Sequence, residues 1–166
     1  NFDEITKELS GIKVYPGIEL SLDVGHVNIV FPTECSNDLF NFSEWLSQRH
    51  KTQNDTISAE ILCNNLVCWD KGIYIFELGK SNEIKEVPKC FSNVVYVGGV
   101  PNQLKFNIVK QNPNSIVPCL FSDAHATDND KNDRNNLEKL RNKQTYLQID
   151  SCEFENIRRC LSDKSK

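Results

Sequence analysis

A chain of 166 residues is long enough for one domain with a real core, and 39% apolar with 25% charged residues is the balance of an ordinary globular protein. A net charge of -4 argues against holding nucleic acid by bulk electrostatics, though not against a local basic patch or a phosphate reached through a metal. The 7 cysteines are an odd set with no C-x-x-C pair, and no run approaches the roughly 18 apolar residues of a membrane span, so a disulfide framework, a zinc ribbon and a membrane helix are disfavoured and a reduced, cytoplasmic setting is expected.

In chain order, Phe2, Ile5 and Leu9 fall at helical spacing ahead of Ser10-Gly11, which predicts a helix over 2–9. Residues 13–22 and 26–31 read as two strands about a turn at 23–25, the second closed by Pro32. A helix over 38–48 places Leu39, Phe42, Trp45 and Leu46 on one face, and a second, starting at Asn54-Asp55, carries Ile57, Ile61, Leu62 and Leu66. Strands follow at 72–78 and 94–97, separated by a loop or short helix over 81–90. Gly98-Gly99 then reads either as a turn needing positive φ or as a place where backbone N–H groups approach an anion.

A helix over 101–110 leads to a strand over 116–121. Beyond it lie a polar loop at 127–136, helical turns at 137–141, a strand at 146–149, and a last helix carrying Phe154, Ile157, Cys160 and Leu161 behind a Ser151 cap. The alternation predicts an α/β fold, as a barrel or a layered sheet. Cys63, Cys119 and Cys160 are expected to be buried and unpaired.

Chemistry concentrates at two places. The strand at 116–121 runs into Asp123-Ala124-His125, and in extended chain residues two apart point the same way, so a carboxylate and an imidazole would stand side by side as a metal grip. The plainer alternative is an Asp capping the next helix beside a solvated His. Glu19 lies inside an apolar strand, where an anion wants a cation, a hydrogen-bond network or an exposed strand end, and His26 opens the next strand. With a hairpin-like corner between these strands, Glu19, His26, Asp123 and His125 would share one face, a donor set that suits Zn, Mn or Fe. His50, among Gln48, Arg49 and Lys51, reads as solvated.

Pro16-Gly17-Ile18-Glu19, Gly25-His26-Val27 and Ser122-Asp123-Ala124-His125 resemble the later motifs of the PHP (polymerase and histidinol phosphatase) domain. Thr145-Tyr146-Leu147-Gln148-Ile149-Asp150 and the helix after it resemble the end of PHP domains that precede SMC-like ATPase regions. The resemblance implies an α/β fold that is part of a distorted (β/α)7 TIM-like barrel lacking its first strands, because the family's opening His-x-His motif has no counterpart here. Residues 1–166 are then expected to be a single PHP-like domain, the C-terminal portion of a larger one.

The same resemblance implies metal-dependent hydrolysis of a phosphate ester, with divalent metal ions (Zn, Mn or Fe) as cofactors. Glu19 would be a bridging ligand, His26 a terminal ligand, and Asp123 and His125 the last ligand pair. Asp123 and Glu19 would be the catalytic residues, with Asp123 also orienting the nucleophilic water. The implied partners are a phosphate-ester substrate, nucleotide or nucleic acid through the parent protein, and an ATPase domain in that parent, with no membrane. This chain alone is expected to be inactive or nearly so. The alternative is a non-catalytic interaction domain attached to an ATPase or polymerase.

Overall fold

The computed structural model describes residues 4, 11–49, 55–79, 83–84, 86–111, 116–121 and 144–163. Alternation of Ile18, Leu20 and Leu22 with polar neighbours, matched by Val27 and Ile29, folds the first stretch into an antiparallel hairpin of β1 (Gly17–Leu22) and β2 (Gly25–Val30). Asp23 and Val24 make the turn, and Gly25 leaves it at φ 138°, a conformation that strains side chains with a Cβ. Residues 13–16 stay outside the strand. Pro16 has no N–H to give the ladder, and only its carbonyl joins in, accepting from Phe31 N at 2.8 Å.

β3 (Ile73–Glu77) pairs antiparallel to β2, and β4 (Val95–Val100) and β5 (Pro118–Leu120) follow it in parallel. The strand order is β1-β2-β3-β4-β5, an open mixed sheet among the described residues. With α1 (Ser36–Ser47), α2 (Ala59–Asn65), α3 (Gln103–Lys110) and α4 (Phe154–Ser162), this is an α/β architecture. Among the described residues no helix is long and apolar enough to cross a membrane.

Because strand side chains alternate, the sheet has two different faces. Leu20, Leu22, Val27, Ile29, Tyr74 and Phe76 belong to one, and they form a single buried cluster with Leu39 and Phe42 of α1 and Ala59 and Leu62 of α2. The Tyr74 hydroxyl donates to the Trp69 carbonyl at 2.7 Å, so its burial leaves no polar atom unsatisfied. The opposite face is covered by α4 and the segment before it over β3 to β5, while over β1 and β2 it carries Glu19, Ser21, His26 and Asn28.

Several expectations change for physical reasons. Ile57 is not helical: its N–H and carbonyl bridge to Ser21 and Asp23 at the end of β1, and Ser58 caps α2 by accepting from Ile61 N at 3.2 Å. Gly98 and Gly99 are neither turn nor anion cradle but lie inside β4. Neither has positive φ; they are small because Leu78 and Ile75 fill the space a Cβ would need. No strand forms at 146–149. Thr145 Oγ1 instead accepts from Leu120 N at 2.7 Å, a side chain standing where a neighbouring strand's carbonyl would be. Glu153, not Ser151, is the N-cap residue of α4. The expected helix at 2–9, loop at 127–136 and turns at 137–141 lie outside the described residues, apart from a helical residue 4.

All 7 cysteines are free. Cys119 is buried as expected, but Cys63 and Cys160 are half-buried. Cys63 meets Cys90 through a thiol hydrogen bond rather than joining the stripe of α2, and Cys35 and Cys68 make a second such pair in the core. Burial, with the Cys90 contact, pushes the Cys63 thiol from its ordinary 9.0 up to about 12, and burial pushes Cys119 up to about 11. Between those values the unfolded chain releases protons that the folded chain keeps. Stability is therefore expected to fall as pH rises above about 9 and to be flat with respect to these thiols below it, as urea midpoints at about pH 8 and about pH 10 would show. Alkylation with mass mapping should find exposed Cys152 modified first and the core pair Cys35 and Cys68 last.

Candidate functional site

The β1–β2 register sets Glu19 opposite Asn28 and Ser21 opposite His26. Directly opposed residues share a face, as do residues two apart, so Glu19 and His26 lie on the same face as diagonal neighbours at roughly 7–8 Å. The hairpin-like corner expected between them is present. Glu19 itself is exposed on an edge strand, so water solvates its carboxylate and burial supplies no argument for a cation there.

His26 is half-buried where β2 begins, and β2 begins where β3 ends. Glu77, the last residue of β3, brings Oε2 to 3.5 Å from His26 Nδ1, with side-chain exposures of 17% for Glu77 and 32% for His26. Partial withdrawal from water weakens dielectric screening and strengthens the attraction between the carboxylate and a protonated or N–H-donating imidazole. Glu77 was not among the residues singled out from sequence. The available signal was the one that marked Glu19, a lone carboxylate on an apolar strand run, here at 72–78.

Asp123, His125 and His50 lie outside the described residues. What is described is where β5, the strand that precedes Asp123 in the chain, points. β4 and β5 run parallel to β3, so the chain leaves β5 at the edge of the sheet where Glu77 ends β3 and His26 begins β2. Phe121 N still donates to Val100 O at 3.2 Å. Laterally, β1 and β5 are the two margins of the sheet, four strand spacings or about 19 Å apart if the sheet were flat. Three extended residues reach about 10 Å, less than the roughly 14 Å that separates β5 from β2 in such a sheet. Among the described residues no three His, Cys, Asp or Glu side chains form a group able to hold a metal ion.

Beside this polar region, α4 and the segment before it close a cavity of about 440 Å³ against Val30, Ile75, Val97 and Cys119. None of its lining residues is charged, so it offers a phosphate no counter-charge. The chain matches no family model, no curated protein and no solved structure.

Proposed function

We propose that this chain carries part of a PHP-type metal site, and that the protein using it hydrolyses a phosphate ester. The observation that carries the reading is the placement of Glu19 and His26 on one sheet face, with His26 at the end of the sheet where β5 also ends, just before Ser122-Asp123-Ala124-His125 in the sequence. Two carboxylates and two imidazoles are a donor set that fits Zn, Mn or Fe. When bound, such an ion polarises a phosphoryl oxygen and lowers the pKa of a coordinated water.

In this proposal the residues divide the work by position. Glu19 and His26 offer ligands from the hairpin, and Asp123 and His125 offer them from the loop after β5. Asp123 also accepts a hydrogen bond from the attacking water and holds it in line with the ester. The exposure of Glu19 leaves substrate a way in from solvent. We further propose that the open sheet belongs to a distorted (β/α)7 TIM-like barrel, a reading supported by the β4–α3–β5 crossover, the unit such barrels repeat. The implied substrate is a nucleotide or nucleic-acid phosphoester, and the implied neighbour an ATPase region of the same protein. The 7 free cysteines accord with a cytoplasmic setting.

The test is metal content by mass spectrometry for the chain and for its Asp123→Ala/His125→Ala variant, with a phosphoesterase assay on a chain extended upstream of Asn1. Metal held by the first and lost by the second, with hydrolysis in the extended chain, is the expected result. Absence of both metal and hydrolysis from the extended chain would leave a domain that serves by packing rather than by chemistry.

A further inference from the structure

We infer that the cavity beneath α4 binds an uncharged aromatic molecule of two or three fused rings that carries a hydrogen-bond acceptor, and that Gln144 meets this acceptor at the mouth. The inference is independent of the metal-site reading. The cavity floor follows from strand parity. Ile73, Ile75, Val97 and Cys119 turn to the sheet face opposite Tyr74 and Phe76, so they stand apart from the main buried cluster. The roof is α4, whose Phe154, Ile157 and Leu161 set an apolar stripe at helical spacing against that face.

The helix is pinned from outside the cavity, which keeps roof and floor apart. The Tyr15 hydroxyl donates to the Cys152 carbonyl just before α4, and its ring meets that of Phe154 edge-on at 5.2 Å. Further along, Arg158 Nη2 donates to the Asp70 carbonyl at 3.0 Å. The space left is about 440 Å³. A void forfeits the contacts of its lining, and water inside one needs polar partners that this floor and roof do not supply. An apolar guest therefore gains by entering. A cavity of about 150 Å³ lined by Leu, Ile and Phe takes up benzene, so about three times that volume suits two or three fused rings.

The lining also selects against charge. Burial pushes the Cys119 thiol up to about 11, so the floor is neutral at ordinary pH. A carboxylate or ammonium group would lose its hydration there and meet no counter-charge. The rings of Tyr15, Phe121, Tyr146 and Phe154 favour an aromatic guest, through edge and offset contacts. The hydroxyls of Tyr15 and Thr145 are committed to Cys152 and Leu120. Gln144 differs: its Oε1 accepts from the Tyr146 hydroxyl at 3.2 Å, and its amide also carries N–H donors that can meet an oxygen of the guest. Gln144, Thr145 and Tyr146 are exposed, which places the mouth at their end of the cavity.

The experiment is equilibrium dialysis of the full chain against fluorenone, with fluorene as the match lacking an acceptor and fluorene carboxylate as the charged match. One fluorenone per chain is expected, held roughly 3–10-fold more tightly than fluorene, the worth of one hydrogen bond, with the carboxylate not retained. Gln144→Ala should bring fluorenone down to the affinity of fluorene and leave fluorene unchanged. Ile157→Trp, which fills the space from a half-buried roof position, should abolish binding of both while the urea midpoint holds or rises. Fluorenone not retained by wild type would overturn the inference, as would the carboxylate binding equally well or Ile157→Trp binding as before. Should Ile157→Trp fail to fold, Gln144→Ala decides: an unchanged ratio of fluorenone to fluorene affinity would overturn it.

Discussion

Phe76→Ala is expected to lower the unfolding free energy by roughly 3–5 kcal/mol, the range for deleting a buried aromatic ring. Phe76 is fully buried at 0% exposure, in the middle of the sheet's core face. Its ring lies 6.1 Å from that of Phe91 and 6.3 Å from those of Tyr74 and Tyr96. None of these can fall into the vacancy easily: Tyr74 and Tyr96 are fixed on strands, and Tyr74 is tied through its hydroxyl to Trp69. A cavity that cannot collapse costs the lost contacts as well as the lost transfer energy. Against a total of about 5–15 kcal/mol for ordinary domains, that is a large share. Urea titration followed by the fluorescence of Trp45 and Trp69 would measure it. A loss below about 1 kcal/mol would mean that this face is not the core.

Gly98→Val should be the next most damaging change, near the upper end of the roughly 1–3 kcal/mol typical of overpacking. A Cβ at Gly98 would collide with Leu78 Cδ1 and stand 3.0 Å from its Cγ and 3.5 Å from Ile116 Cγ2. Leu78 has little room to withdraw, being 5% exposed with its N–H bonded to Gly99 O at 2.9 Å. Gly99 points to the other face, where an added Cβ would meet Ile75 Cγ2 at 3.1 Å and Phe121 Cδ2 at 3.3 Å, and Phe121 is partly exposed and able to move. Gly99→Ala is therefore expected to cost clearly less than Gly98→Val in the same urea titration. Equal losses would contradict the register between β3 and β4.

The hairpin was legible because two signals agree there, period-two alternation in both runs and a glycine exit from the turn. α1 was legible from its apolar stripe, to within two residues at its start. Ile57 misleads because its spacing to Ile61 is helical, yet a backbone bridge to β1 outweighs a stripe position. Gly98 and Gly99 mislead for a related reason. Local sequence offers turn chemistry, and only side chains far off in the sequence, Leu78 just past the end of the adjacent strand for Gly98 and Ile75 within it for Gly99, explain why glycine is needed. Residues 146–149 have strand-like composition, but the position beside β5 is taken by Thr145. At the site, the shared face of Glu19 and His26 was expected only on condition of a hairpin-like corner, and it is the two-residue turn at Asp23 and Val24 that sets the register bringing them to one face. Glu77 was not legible, because its meeting with His26 depends on β2–β3 pairing across the whole helical layer between them.

The two margins of the sheet differ in what they leave open to another chain. At β5 the Thr145 hydroxyl both accepts from Leu120 N and donates to Leu120 O, so a side chain blocks the growth of that edge. At β1 the alternation that turns Ile18, Leu20 and Leu22 inward to β2 turns the peptide groups of Gly17, Glu19 and Ser21 outward, and among the described residues Ile57 occupies them only at the Ser21 end. Among the described residues the sheet is thus extendable in one direction only. A strand arriving there would bond to the backbone of Glu19 itself and lay its own side chain beside that carboxylate. Any polypeptide that completes the sheet would in the same step build one wall of the proposed site.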